Sequence, residues 1–151
     1  MITREADYGM RMVLALSKGW KGNGACKPVG EIAREMEIPY RFLRKIAGRM
    51  SARGLIESQK GKGGGVRLTR SPATISVLDV IVVMAPASAE LSQCVNNPGQ
   101  CRRSGGCSIH KALAAIQQDV MHRLRLATFD RLAATPCQRA GSDSADGRHG
   151  R

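Results

Sequence analysis

Six residues, Lys60-Gly61-Lys62-Gly63-Gly64-Gly65, constrain the fold of this chain more than any other stretch. Their flanks, Leu55-Ile56-Glu57-Ser58 before and Val66-Arg67-Leu68-Thr69 after, read as short strands, so the segment is expected to be a β-hairpin with a basic tip. Glycines let backbone amides approach a phosphate with no Cβ in the way, and Lys60, Lys62 and Arg67 bring positive charge to the same end. A flexible basic hairpin with no partner is the plain alternative.

What precedes the hairpin favours the phosphate reading. Ala6, Met10, Val13 and Leu14 recur at helical spacing and give a first amphipathic helix, which ends before the turn-rich stretch Gly19 to Gly30. Val29, Ile32, Ala33 and Met36 repeat the pattern, Ile38-Pro39 breaks it, and a further helix begins at Pro39 or Tyr40 with Leu43, Ile46, Ala47 and Met50 as its buried stripe. Gly54 suits the left-handed position after that helix ends. Two short helices joined by a tight turn, the second presenting Arg41, Arg44, Lys45 and Arg49 outward, match a helix-turn-helix with its recognition helix, and the hairpin that follows is then a wing.

Charge is distributed accordingly. The 151 residues carry a formal net charge of +12, which points to an acidic partner such as nucleic acid or an anionic membrane surface. Residues 1–70 hold 15 basic and 6 acidic side chains, whereas residues 71–151 hold 9 and 6, so the polyanion-binding half is the front half. No apolar run approaches the roughly 20 residues of a membrane span, and the N-terminus lacks a signal-peptide pattern, so a cytoplasmic protein is expected.

Beyond the wing, Ile75 to Met84 reads as a buried helix through Leu78, Ile81 and Val82, with a strand as the alternative. Residues 86–107 read as a loop. A single long helix is expected from Ser108 to Ala134, where Ile109, Leu113, Ile116, Val120, Leu124 and Ala127 form a stripe suited to a partner helix or to an intramolecular core. Pairing through it would set two recognition helices on one face of a duplex. The chain is thus expected to be mainly α with a small β-hairpin, organised as a DNA-binding domain (1–85), a cysteine-rich loop (86–107), a dimerisation helix (108–134) and a disordered tail (135–151).

Three of the five cysteines, Cys94, Cys101 and Cys107, lie in that loop, with six and then five residues between them. Such spacing allows three thiolates to converge on one inorganic centre, and His110, at the start of the next helix, can supply a fourth ligand. A surface or capping histidine is the bland alternative. Cys26 and Cys137 stand apart and read as incidental thiols.

Together these features resemble the Rrf-two-type family of winged-helix regulators. The resemblance covers residues 1 to about 134 and rests on Ile2-Thr3 with Asp7-Tyr8, on Gly54-Leu55-Ile56, on the glycine-lysine wing, on Leu78-Asp79-Val80-Ile81 and on the three cysteines. It implies a homodimer crossed through the C-terminal helices, an iron-sulfur cluster, and double-stranded operator DNA as the partner. The residues that would touch DNA are then Tyr40, Arg41, Arg44 and Lys45 on the recognition helix, and Lys60, Lys62, Gly63, Gly64 and Arg67 on the wing. An arginine fork suits guanine O6 and N7, so a G-containing half-site is expected.

The family pattern has five residues between its first two cysteines, where this chain has six. IscR-like members take a histidine at the place of His110 as fourth ligand, which goes with a 2Fe-2S centre. NsrR-like members take an acidic residue of the partner subunit, at the place of Asp7, which goes with 4Fe-4S. His110 and 2Fe-2S are slightly favoured. The signal stays open among oxygen, nitric oxide and iron supply. The rival readings are a regulator sensing through thiols or zinc, and an iron-sulfur carrier or small redox protein. An enzyme is not expected, since no nucleotide loop, catalytic triad or paired carboxylates stand out.

Overall fold

The computed structural model describes residues 2–22, 24–86, 92–103 and 105–135. The expected disordered tail, apart from Thr135, lies outside them, as does Cys137.

Helix α1 (Arg4–Lys18) opens on Thr3, whose hydroxyl accepts from Ala6 N at 3.2 Å, and carries Glu5 and Asp7 in its first turn and Lys18 in its last, all favourable to the helix dipole. Its buried face, including Ala6, Met12, Val13 and Leu16, is the centre of the core. Helices α2 (Val29–Glu35) and α3 (Tyr40–Ala52) pack on it, with Ile32, Leu43, Ile46 and Met50 facing inward. The turn between them contains Glu37 at φ 55, a left-handed conformation in which side chains other than glycine or asparagine are uncommon.

After α3, Gly54 at φ 72 redirects the chain into the hairpin of β1 (Ile56–Gln59) and β2 (Gly65–Leu68), paired antiparallel with Ile56 opposite Leu68 and Gln59 opposite Gly65. Lys27 adds a one-residue third strand. Its backbone exchanges two 2.9 Å hydrogen bonds with Val66, so the segment leading into α2 is stitched to the wing.

A 3-10 turn (Pro72–Thr74) leads into α4 (Val77–Met84). The choice between helix and strand here is decided at its start, where Ser76 and Asp79 form a reciprocal capping box: Asp79 N donates to Ser76 Oγ, and Ser76 N donates to Asp79 Oδ2. The buried stripe is Leu78, Val80, Ile81 and Met84. Val82, expected inside, is 50% exposed, because α4 packs on α1 through Val80 and Met84 and turns Val82 away.

Residues 86–107 are not wholly loop, since α5 (Gln93–Asn96) and a 3-10 turn (Pro98–Gln100) interrupt them. The single helix expected over 108–134 is two helices, α6 (Ser108–Leu126) and α7 (Phe129–Ala134). The break has a clear cause. Val77 N donates to Ala127 O at 2.9 Å and Phe129 N to Ile75 O at 3.0 Å, pulling the chain into backbone pairing beside α4, while Phe129 is buried to 1% exposure. Burying an aromatic ring stabilises by about 2–3 kcal/mol, enough to outweigh continuing the helix by one turn. Helix α6 itself has no buried residue, and Ile109, Ile116 and Val120 remain open to solvent. No described helix is long and apolar enough to cross a membrane.

Candidate nucleic-acid interface and cysteine loop

Helix α3 presents its basic face because its apolar face is consumed by the core. At about 100° per residue, Arg44, Lys45 and Gly48 lie within about 60° of Arg41 around the axis, opposite Leu43 and Met50. All four are exposed. Tyr40 and Phe42, 51% and 60% exposed, flank this face on its two sides. Phe42 was not among the residues read from the sequence. Its helical angle from Arg41, outside the arc of the buried stripe, was the available signal.

Arg49, expected on the same outward face, does something else. It stands at the edge of the arc, where its guanidinium pairs with Glu5 of α1 and its Nη2 donates to the carbonyl of Met84 at 2.7 Å. That carbonyl is one of the unpaired acceptors at the end of α4. Arg49 therefore ties three helices together and is withdrawn from the recognition face.

The wing holds Lys60, Lys62 and Gly63 in the open. Glycine is required at its base for reasons internal to the hairpin: a Cβ on Gly64 would lie 2.3 Å from Gln59 O, and one on Gly65 would lie 2.4 Å from Lys27 O. A Cβ on Gly61 or Gly63 would meet nothing within 4 Å, so these two leave space for a phosphate. Arg67 pairs across the hairpin with Glu57. Cys26, half-buried, donates to Gln59 Oε1 at 3.2 Å, so this thiol sits against the root of the wing rather than in an isolated loop.

In the cysteine loop, Cys94 lies in α5, Cys101 follows the 3-10 turn and Cys107 is the N-cap residue of α6; all three are half-buried. Cys94 Sγ lies 3.1 Å from Ser92 Oγ. Gln117 Nε2 donates to Asn96 Oδ1 at 2.9 Å and fastens α5 to α6. His110 occupies the first turn of α6, and its Nδ1 is buried without a hydrogen-bond partner. The thiols are nevertheless not drawn together: among the described residues, no three histidine, cysteine or acidic side chains are placed to hold a metal ion. Asp7, the other proposed fourth ligand, makes an i,i+4 ion pair with Arg11 at 3.1 Å.

Comparison with known proteins fits this architecture. Residues 2–135 match the family model described as Rrf2, iron-dependent transcriptional regulator. Over 125 residues, 78% of this chain and 80% of the relative, it is 33% identical to the HTH-type transcriptional regulator NsrR of Shouchella clausii. Among solved structures it resembles CymR, the global cysteine regulator of B. subtilis (TM-score 0.73, 20% identity, 91% of this chain and 98% of the other). It also resembles T. potens IscR (TM-score 0.66, 22% identity, 92% and 93%). At such identities the structures speak for the fold, and the family model and the NsrR relative for the kinship. A helix-turn-helix with an open basic face, a glycine-built wing and a match over nearly the whole chain make this protein a member of the Rrf2 family, DNA-binding transcriptional regulators and not enzymes.

Proposed function

We propose that this chain is a homodimeric regulator whose affinity for its operator depends on an iron-sulfur cluster held by Cys94, Cys101, Cys107 and His110. The observation that carries this reading is the buried, partnerless Nδ1 of His110, three residues beyond Cys107. A buried imidazole nitrogen without a partner costs on the order of 1–3 kcal/mol, and a metal bond would remove that cost. Three half-buried thiols on the same loop form a donor set of the right chemistry. A 2Fe-2S centre goes with this set. The alternative, the partner subunit's Asp7 and a 4Fe-4S centre, would first have to release Asp7 from Arg11.

Such a cluster supplies a labile inorganic core that oxygen, nitric oxide or iron shortage can destroy or deny. The chain's own residues do the rest. Gathering the three cysteines onto His110 would draw Cys94 and Cys101 toward Cys107 and the first turn of α6. Helix α6 carries the exposed stripe Ile109, Ile116 and Val120, which suits a second copy of itself. A change at one end of this helix thus reaches the spacing of the two recognition helices, on which binding of successive major grooves depends. Arg41 and Arg44 would read bases, with Tyr40 and Lys45 beside them, and Lys60, Lys62, Gly63, Gly64 and Arg67 would meet the backbone or minor groove. All of this belongs to a protein working in the cytoplasm.

The test is anaerobic purification followed by an absorption spectrum and iron and sulfide analysis of the wild type, His110→Ala and Asp7→Ala. Brown wild-type protein with matching iron and sulfide, and loss of the visible bands in His110→Ala alone, is the expected outcome. Loss in Asp7→Ala alone would move the fourth ligand to the partner subunit. Colourless protein that resists reconstitution, with zinc or no metal, would leave a regulator sensing through zinc or thiols.

A further inference from the structure

Between the end of α3 and the end of α6 lies a cavity of about 640 Å³ that neither the DNA-binding face nor the cysteine loop uses. Three arginines, each exposed, line it from three different places in the fold: Arg53 caps α3, Arg70 follows β2, and Arg125 stands in the last turn of α6. The acid on this wall is Asp79, and it is already engaged, its Oδ2 accepting from Ser76 N at 2.8 Å and from Ser76 Oγ at 2.7 Å. What remains for Arg70 is a loose 3.8 Å approach to Oδ1, beyond hydrogen-bond length. Among the described residues, neither Arg53 nor Arg125 makes an ion pair. Leu55, Val82 and Val83 add aliphatic surface to the lining.

Like charges are not brought together around a concavity without cost, and guanidinium forks match carboxylate and phosphate oxygens two at a time. The volume falls in the range of small-molecule sites, and a few convergent polar groups beside an apolar wall are their usual lining. We propose that this cavity binds a small organic anion, with carboxylate or phosphate groups on an aliphatic frame, as an effector of DNA binding. Arg53 and Arg70 belong to the DNA-binding domain and Arg125 to α6, so an occupant held by all three braces the junction that the backbone pairing at Ala127 already makes. Ligand and DNA are then coupled reciprocally, independently of the cysteines.

The experiment titrates succinate, glycerol 3-phosphate and inorganic phosphate into the full chain at constant ionic strength, with chloride as the balancing salt, and follows thermal unfolding. The expected result is a saturable rise in Tm with succinate or glycerol 3-phosphate in the wild type, in Arg41→Gln and in Cys94→Ala. In Arg125→Gln and Arg53→Gln the midpoint concentration rises about tenfold or more, the loss of one charge-assisted pair. A response equal in all variants, or no response above chloride, overturns the proposal. So does a result in which Arg53→Gln and Arg125→Gln leave the anion response unchanged but flatten the salt dependence of duplex binding, because the arginines would then hold DNA phosphates.

Discussion

Replacing Arg49 with Ala separates two roles that an arginine on a basic helix can have. If Arg49 faced DNA, its loss would leave stability almost untouched and remove one phosphate contact. The structure gives the opposite expectation. The pair with Glu5 is well exposed, 39% and 49%, and contributes no more than about 0.5 kcal/mol. The donation to Met84 O is charge-assisted and partly buried, and removing it costs about 1.5 kcal/mol or more because a helix-terminal carbonyl loses its partner. Together the variant should lose about 2 kcal/mol, equivalent to a Tm lower by about 7 °C for a chain of this size. Urea unfolding followed by circular dichroism measures the first quantity. Binding to a non-cognate duplex at several salt concentrations, at a temperature where both proteins are folded, measures the second. The slope of log K against log salt should match the wild type, whereas a lost phosphate contact would reduce it by about 1. An Arg49→Ala protein of unchanged stability and shallower slope would refute the reasoning.

Gly48→Ala should stabilise the fold by about 1 kcal/mol in the same urea assay, since Gly48 is interior to α3 and an added Cβ meets nothing within 4 Å; a loss of stability would mean a neighbour lies closer than described. Ile116→Arg should leave urea unfolding of the isolated chain within about 0.5 kcal/mol, because the side chain is half exposed, yet reduce the mass seen by light scattering to that of a monomer; an unchanged dimer would place the interface elsewhere. The hydrogen bond from Thr128 holds the Asp130 carboxyl below its ordinary range. A depressed folded pKa means that this contribution is present above the unfolded pKa and is lost as pH falls through the folded one, so Asp130→Asn should flatten the acid side of the stability profile and leave the neutral side parallel to wild type.

The helix-turn-helix was legible because short-range rules agree there: the apolar stripe of α3, the proline before it and the glycine after it each point to the same boundaries. The wing was legible for the same reason, although the glycines at positions 64 and 65 answer to contacts with Gln59 and Lys27, which no local pattern reveals. Where the reading failed, a distant partner was responsible. Arg49 lies among other basic residues in the sequence, and only packing of α1 and α4 explains its inward role. The break at Ala127 follows from pairing with residues some fifty positions earlier, which outweighs a helical periodicity that continues past it. For the cysteine loop, spacing nominates Cys94, Cys101 and Cys107 as candidate donors but says nothing of their convergence, because the chain between them is short on apolar anchors.

The stitch at Lys27 also predicts where the chain tolerates changes of length. Its backbone is paired to Val66, and its ammonium group contacts Glu35 and, at 3.7 Å, Glu31, so one residue sets both the register of the wing and the phase of α2. Residues inserted beside Gly22, where an added Cβ would meet nothing within 4 Å, would only enlarge an exposed turn. A single residue inserted between Lys27 and Val29 would rotate α2 by about 100°, swinging Ile32 out of the core and both glutamates away from their lysine. Among natural relatives, length variation should therefore collect before this lysine and stop at it.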